Sequence, residues 1–392
     1  MPPVIPRRIA NALAAIQGLY EFFVESDFAQ RGHLPGANLL VVGDPQELAL
    51  PGFVAALRGQ LEPQNPQWYA YKLDERPAQE AAAAGLRQRT GIDFLPGDVH
   101  LTNGAFAALT VAIKLMGDPG DEIMFLSPPW FFYEAIILAE GLTPVRVKVN
   151  PATFDPDLDA IAAAITPRTR AILINSPNNP TGRIYSPEVL QGLAETLTAA
   201  SRRHGRDITL ISDESYSRIL YDGHRHHSPA AYYPQTFVIY TYGKTLLTPG
   251  QRMGYIAIPP NMPDREAWRP ILIAGRHLTG YAYPNALMQY ALPELEKLSI
   301  DLEALQARRD RLVTALRDMG YDLHSPEGTF YLLPRAPMAD DVAFVKRLAG
   351  GNVFVLPGAT VEMPGYFRVS LTASDDMVER ALPVFAEAIG TA

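Results

Sequence analysis

The 392-residue chain contains no cysteine. Disulfides, iron–sulfur clusters, cysteine nucleophiles and thiolate zinc sites are therefore excluded. No segment approaches the run of about 20 apolar residues that a membrane-spanning helix needs. The N-terminal residues MPPVIPRRIANALAAIQGLYEFF are interrupted by Asn11, Gln17 and Glu21, which is typical of an amphipathic helix rather than a signal peptide. These absences predict a cytoplasmic protein with no membrane partner.

Long runs of one charge are also missing. The 34 basic and 42 acidic residues give a net charge of −8 that is spread along the chain. This distribution argues against a nucleic-acid partner. Hydrophobic residues make up 47% and charged residues 19%, as in ordinary globular proteins, and the length predicts about two or three domains.

The middle of the chain alternates short apolar runs with segments of helical periodicity. The strand-like runs are residues 122–126 (EIMFL), 145–149 (VRVKV), 171–175 (AILIN), 208–212 (ITLIS), 237–241 (FVIYT) and 253–258 (MGYIAI). Helical patterns cover 105–116, 133–140, 158–165 and 187–204. Apolar runs that alternate with helices predict strands covered on both faces, and therefore an α/β fold with a mostly parallel sheet.

The pattern changes after about residue 284. A long charged helix is predicted over 287–319, followed by short strands near 329–333, 353–355 and 367–370 and by a last helix. We therefore predict an N-terminal segment (1–35) that packs with the small domain, a large domain (36–284) and a smaller α+β domain (285–392).

Polar motifs follow three successive predicted strands, where ligands bind in open α/β sheets. They are SPNNPTG (176–182), DESY (213–216) and YGK (242–244), with Arg252 eight residues beyond Lys244. Taken singly, each motif has an ordinary structural explanation: a tight turn, a carboxylate that caps a helix, and a solvated lysine.

Taken together and in this order, the motifs resemble those of the class I and II aminotransferases, which are fold-type I enzymes that use pyridoxal phosphate (PLP). Further matching motifs extend the resemblance over nearly the whole chain: LLVVGDP (39–45), LTNGAFAAL (101–109), SPPW (127–130), PEGTFY (326–331) and FRVSL (367–371). The resemblance implies a large PLP-binding domain with a mostly parallel seven-stranded sheet, and a smaller α+β domain.

The resemblance implies a role for each matching residue. Lys244 matches the lysine that forms a Schiff base with PLP and then moves a proton between the substrate Cα and the cofactor C4′. Asp213 matches the carboxylate that pairs with the ring nitrogen. Asn179 and Tyr216 match the side chains that hydrogen-bond the phenolic oxygen of the ring.

The phosphate of the cofactor would be held by the segment Gly104-Ala105-Phe106, whose backbone N–H groups open a helix, and by Arg252. Thr241 stands where many members have serine, and its hydroxyl still provides a donor. Trp130 matches the residue that stacks on the ring.

The substrate contacts are implied in the same way. Arg368 matches the arginine that binds the α-carboxylate, since a planar guanidinium suits a bidentate carboxylate. Gly43, Trp130 and Asn179 match further substrate contacts. Tyr69, or Tyr71 if the register is shifted by two, matches a tyrosine that reaches the cofactor of the neighbouring subunit. A homodimer with shared active sites is therefore implied.

The implied activity is transfer of an amino group from an α-amino acid to a 2-oxo acid by a ping-pong mechanism. The same residues serve β-lyases, decarboxylases and amino-acid oxidases or deaminases, so these reactions remain alternatives; a non-catalytic effector-sensing domain is a remote one. The donor stays open, with Arg276-His277 near the region where some members place a cation for dicarboxylic substrates. We assign no metal to His224, His226 and His227, because adjacent histidines on a polar turn diverge.

Overall fold

The computed structural model describes residues 5–390. The strands are β1 (Asn38–Leu39), β2 (Val99–Thr102), β3 (Glu122–Ser127), β4 (Thr143–Lys148), β5 (Thr169–Asn175), β6 (Thr209–Asp213), β7 (Thr236–Thr241), β8 (Gly254–Ala257), β9 (Tyr331–Leu332), β10 (Val353–Phe354), β11 (Leu356–Pro357) and β12 (Phe367–Ser370). The helices are α1 (Arg7–Ala15), α2 (Gln17–Glu25), α3 (Asp27–Arg31), α4 (Pro51–Arg58), α5 (Arg76–Thr90), α6 (Gly104–Lys114), α7 (Tyr133–Ala139), α8 (Leu158–Ala164), α9 (Pro187–His204), α10 (Tyr242–Thr245), α11 (Arg265–Leu278), α12 (Ala286–Leu295), α13 (Leu302–Asp318), α14 (Asp341–Gly350) and α15 (Asp375–Gly390).

A seven-stranded sheet forms the centre of the larger part of the molecule, with the strand order β2-β8-β7-β6-β5-β3-β4. The pairs from β4 to β7 are parallel, whereas β8 is antiparallel to both β7 and β2. Successive residues of β6 alternate between two cores: Ile211 packs in one and Leu210 in the other. The continuous apolar runs therefore reflect burial on both faces, and the predicted α/β fold is confirmed.

A second core joins the N-terminal segment to the C-terminal part. Leu19 and Phe22 of α2 pack there with Leu312, Phe344 and Phe367. β1 pairs in parallel with β10, and β11, β12 and β9 form a small antiparallel sheet. The division into parts at 35/36 and 284/285 stays a prediction. Met288 and Leu292 of α12 pack in the core of the large sheet.

Two details of the sequence-based prediction were wrong. The single helix over 287–319 is two helices, α12 and α13, because the carboxylate of Asp301 accepts a hydrogen bond from the backbone N–H of Ala304 and starts α13 afresh. The edge strand β2, with only four residues, was missed. All four of its residues are buried, and a segment this short cannot be distinguished by its sequence pattern from the helix that follows.

Within residues 5–390, no helix is both long and apolar enough to cross a membrane.

Candidate active site

The carboxyl ends of the parallel strands meet at one cavity of about 310 Å³. β5 ends at Asn175, β6 at Asp213 and β7 at Thr241, and the segments that follow these strands supply the polar walls. The predicted site residues that line the cavity are Gly43, Ala105, Phe106, Trp130, Asn179, Asp213, Tyr216, Thr241, Lys244, Arg252 and Arg368. Parallel topology thus brings motifs far apart in the chain to a single edge of the sheet.

Asp213 is a buried carboxylate held by three donors. The Tyr133 hydroxyl donates to Oδ2 at 2.7 Å, and the hydroxyl and backbone N–H of Ser215 donate to Oδ1 at 2.5 and 3.1 Å. Burial raises the pKa of Asp213 above its usual value, while these hydrogen bonds and the nearby charge of Lys244 oppose that rise. The carboxylate is therefore fixed in place, and a cationic partner would stabilise its ionised form.

Tyr133 is a site residue that the sequence analysis missed. It stands three positions after Trp130 at the start of α7, and its side chain is fully buried against Asp213. In the sequence it is one of several aromatic residues in WFFY, and nothing in that pattern distinguishes a tyrosine that bonds a carboxylate from one that only packs.

Replacing Tyr133 by phenylalanine removes one donor from a buried carboxylate. We expect the free energy of unfolding of the apoprotein to fall by about 1.5–3 kcal/mol at neutral pH, since the lost hydrogen bond involves a charged group. The hydrogen bond favours ionised Asp213, so its contribution disappears as pH falls below the folded-state pKa of that carboxyl. Urea unfolding at neutral and acidic pH measures the difference.

Tyr185→Phe is the matched control for this prediction. Tyr185 is equally buried, and its hydroxyl has no hydrogen-bond partner among the described residues. For Tyr185→Phe, we do not expect a pH-dependent loss in the free energy of unfolding such as that of Tyr133→Phe. Equal, pH-independent losses for both variants would show that Tyr133 contributes packing only.

Lys244 lies in the short helix α10, directly after β7. The Thr241 hydroxyl accepts a hydrogen bond from the Gly243 backbone N–H and so caps this helix. The Lys244 ammonium lies 5.9 Å from the ring centre of Tyr216 and 5.7 Å from that of Phe330. Among the described residues it has no hydrogen-bond or ion-pair partner, so the amine faces the cavity free to react.

Arg252 packs against the start of α6. An ideal Cβ built on Gly104 would lie 2.8 Å from an Arg252 guanidinium nitrogen, and Gly104 has a φ of +80°, so a side chain there is disfavoured on both counts. No side chain caps α6, which leaves the first N–H groups of the helix directed outward. A guanidinium and a helix N-terminus thus meet at one corner of the cavity, as a phosphate requires.

Arg368 is a buried guanidinium that has no acidic partner among residues 5–390. Its side chain donates only to neutral oxygens, the Asn179 side-chain amide at 2.9 Å and the Val41 carbonyl at 3.0 Å. Its Nε has no partner among the described residues, and the Tyr331 ring lies 4.0 Å from Cζ. Burial lowers its pKa from the usual value. An uncompensated buried cation of this kind is a binding site for an anion.

Tyr216 and Gly43 complete the walls. Tyr216 is buried beside Tyr331 and Phe330, and burial raises the pKa of its hydroxyl well above the usual value, so this group is a neutral hydrogen-bond donor. A Cβ on Gly43 would lie 2.3 Å from a ring carbon of Phe330. Only glycine therefore allows the backbone to approach the cavity at this point.

Three residues from the sequence analysis need separate comment. The Thr241 hydroxyl donates to the Met253 carbonyl at 3.1 Å, so it must rotate before it can donate to a phosphate. Tyr69 does not line the cavity; its side chain is exposed and donates to the Leu61 carbonyl. His226, from the cluster that we did not assign to a metal, contacts Glu214 at 2.9 Å, and residues 5–390 hold no group of three metal-ligating side chains.

The residues of the cavity fit PLP by their chemistry. The amine of Lys244 suits an aldehyde, the buried carboxylate of Asp213 suits a protonated ring nitrogen, and the corner at Arg252 suits a phosphate. Arg368 is left for a second anion. Within the described chain, no salt bridge joins a carboxylate to Lys244, Arg252 or Arg368.

Comparison with known proteins agrees with this arrangement. The family "Aminotransferase class I and II" matches residues 71–385. The chain is 32% identical to the aspartate/prephenate aminotransferase of Thermus thermophilus over 365 residues, which are 90% of this chain and 91% of that protein. It is 31% identical to the aspartate aminotransferase of Thermotoga maritima over 77% of this chain and 78% of that protein.

Solved structures agree over the full length. An aminotransferase from Eubacterium rectale superposes with a TM-score of 0.89 at 26% identity and covers 99% of both chains. The Thermus thermophilus aspartate aminotransferase with maleate gives a TM-score of 0.81 at 29% identity, over 98% of this chain and all of that one.

The fold and the site define a PLP-dependent enzyme of fold type I. The chain belongs to the class I and II aminotransferase family. It is a PLP-dependent aminotransferase that acts on amino acids and 2-oxo acids.

Proposed function

We propose that the protein transfers the amino group of an α-amino acid to a 2-oxo acid with Lys244 as the reacting amine. When bound, PLP supplies an aldehyde that condenses with amines and a ring that withdraws electrons. Lys244 would hold the cofactor between turnovers, and its Nζ would then carry the proton between the substrate Cα and C4′. One observation carries this proposal: Lys244, Arg252 and Arg368, which have no acidic partner in the described part of the chain, are grouped with buried Asp213 around one cavity.

The remaining residues orient the two reactants. Asp213 would keep the ring nitrogen protonated, and Trp130 would hold the ring by stacking. Arg252, with the N–H groups of Gly104, Ala105 and Phe106 and the hydroxyl of Thr241, binds the phosphate. The other contacts are Asn179 and Tyr216 to the phenolic oxygen, and Arg368, Gly43, Trp130 and Asn179 to the substrate.

A crossed experiment separates the two arginines. Arg252→Ala is expected to weaken PLP binding by about 1.5–3 kcal/mol, because hydrogen bonds to a charged group are lost. Arg368→Ala is expected to weaken amino-acid binding to the holoenzyme by about 2–5 kcal/mol, the range measured when one partner of a buried charge pair is removed. PLP titration by absorbance, and KM for the amino acid at saturating PLP, measure the two effects.

The experiment is informative because each variant is expected to lose one kind of binding and to keep the other. Arg252→Ala should leave KM near the wild-type value once PLP saturates the site, and Arg368→Ala should leave PLP affinity near wild type. If Arg368→Ala released PLP while KM stayed constant, the two assignments would have to be exchanged.

We further propose a homodimer in which Tyr69 reaches the phosphate of the neighbouring subunit's cofactor. In support, Tyr69 is 59% exposed and lies outside the cavity of its own protomer. Tyr71, the other candidate, is also exposed and packs on Tyr283 with ring centres 4.8 Å apart. Sedimentation equilibrium of the holoenzyme tests the dimer, and a monomer that retains full activity would contradict it. A cytoplasmic location stays a prediction.

A further inference from the structure

The cavity has an aromatic wall that the proposed function leaves without a role. Phe23 comes from α2, and Phe131 and Phe132 come from the turn after β3. The centres of the Phe131 and Phe132 rings lie 4.9 Å apart, and Trp130 lies 5.8 and 5.2 Å from them. Phe23, Phe131 and Phe132 are each only half-buried. They therefore present apolar surface that a ligand can cover.

This wall adjoins the cation proposed to bind the substrate. The Arg368 Cζ lies 5.9 Å from the centre of the Phe131 ring, on the same cavity. An amino acid that places its α-carboxylate on Arg368 therefore has Phe131 within reach of its side chain. Phe23 lines the same cavity from the N-terminal segment.

Among the described residues of one protomer, no cation that lines the cavity is left over for a second carboxylate. Lys244, Arg252 and Arg368 are the cations that line the cavity, and each already has a role. Arg276, the candidate from the sequence, is fully buried and forms a two-point ion pair with Asp74 at 2.8 and 2.6 Å. It also donates to the Leu101 carbonyl, so its charge is already neutralised away from the site.

Besides Asp213, the cavity lining of the described chain includes one more acidic group. Asp44, directly after Gly43, lines the cavity and is exposed to solvent. A substrate with a second carboxylate would lose water to an aromatic wall and meet a charge of its own sign. Both effects disfavour dicarboxylic amino acids, whereas the wall suits an aromatic side chain, since aromatic rings pair with one another beyond simple area burial.

We propose that the preferred amino donor is an α-amino acid with an aromatic side chain, held by Phe131, Phe132 and Phe23. This inference rests on the proposed function and narrows its substrate. An aromatic donor is distinct from a donor with a carboxylate side chain, and we attribute the preference to the three rings of Phe131, Phe132 and Phe23.

The test is the half-reaction of the holoenzyme with single L-amino acids and no 2-oxo acid. The 2-oxo acid formed is quantified for phenylalanine, tyrosine, alanine, aspartate, glutamate and lysine. We expect the second-order rate constant for phenylalanine to exceed that for aspartate and glutamate by about 100-fold or more, in the range by which a pocket discriminates side chains. Equal or faster reaction of aspartate, glutamate or lysine would overturn the inference while the proposed function stands. If no amino acid gives its 2-oxo acid although PLP is bound, the proposed function itself fails.

Variants connect the preference to the wall. For Phe131→Ala and Phe23→Ala, we expect the ratio of the rate constants for phenylalanine and alanine to fall by about 10–200-fold, because alanine has no side chain to lose contact. Tyr20→Ala is the matched control, since Tyr20 lies on the same helix as Phe23 and is 59% exposed. PLP occupancy by absorbance verifies that each variant is folded. An unchanged ratio in both cavity variants, or the same fall in Tyr20→Ala, would contradict the proposed wall.

Discussion

Lys244→Ala is expected to bind PLP and yet to lose at least about 10²–10⁴-fold in turnover, the contribution typical of a positioned acid–base group. Lys244 is the one lysine among the described residues that line the cavity. The guanidinium groups of Arg252 and Arg368 do not deprotonate in proteins and so provide no substitute base. The proposed phosphate and ring contacts do not involve Lys244, so we expect PLP binding to survive.

The measurement is single-turnover formation of the 2-oxo acid, with PLP occupancy determined separately. Lys114→Ala is a suitable control, because Lys114 lies at the far end of α6 and forms a salt bridge with Glu140 at 2.8 Å. A small primary amine added to Lys244→Ala should restore part of the rate, since it supplies the missing base in the vacated space. Wild-type turnover without added amine would remove Lys244 from the mechanism.

The sequence located candidate site residues where a polar or charged residue directly follows a predicted strand. Asp213 follows the buried strand-like run ITLIS (208–212). Since ligands bind at the carboxyl ends of parallel strands, its position at the cavity was predictable. Lys244 alone resembles any loop lysine, and it became identifiable through its order after NNPTG and DESY. The α/β class followed from the same buried runs.

Contacts between distant segments were beyond the sequence. Nothing local indicates that Tyr133 bonds Asp213, eighty positions away, or that Asp74 neutralises Arg276. Those pairs arise from tertiary packing, which periodicity does not describe. The break between α12 and α13 was missed for a related reason: the cap at Asp301 lies inside a continuous helical pattern.

Asp213→Asn is expected to have opposite effects on the apoprotein and the holoenzyme. The holoenzyme should lose PLP affinity and at least about 10²-fold in turnover, since a neutral amide cannot keep the ring nitrogen protonated. The apoprotein should be no less stable at neutral pH. Burial raises the pKa of Asp213, so its ionisation destabilises the folded state as pH rises through that pKa, and asparagine removes this effect.

Urea unfolding with and without PLP measures both effects on one preparation. A carboxylate that only caps the following segment would give a different result: the variant would lose stability by about 0.5–2 kcal/mol at neutral pH and keep its PLP affinity. Ser186→Ala provides that comparison, because the Ser186 hydroxyl accepts from the Val189 N–H and caps α9. Opposite signs of the two effects for Asp213→Asn would show that the buried charge of Asp213 costs the folded apoprotein stability and that the bound cofactor offsets this cost.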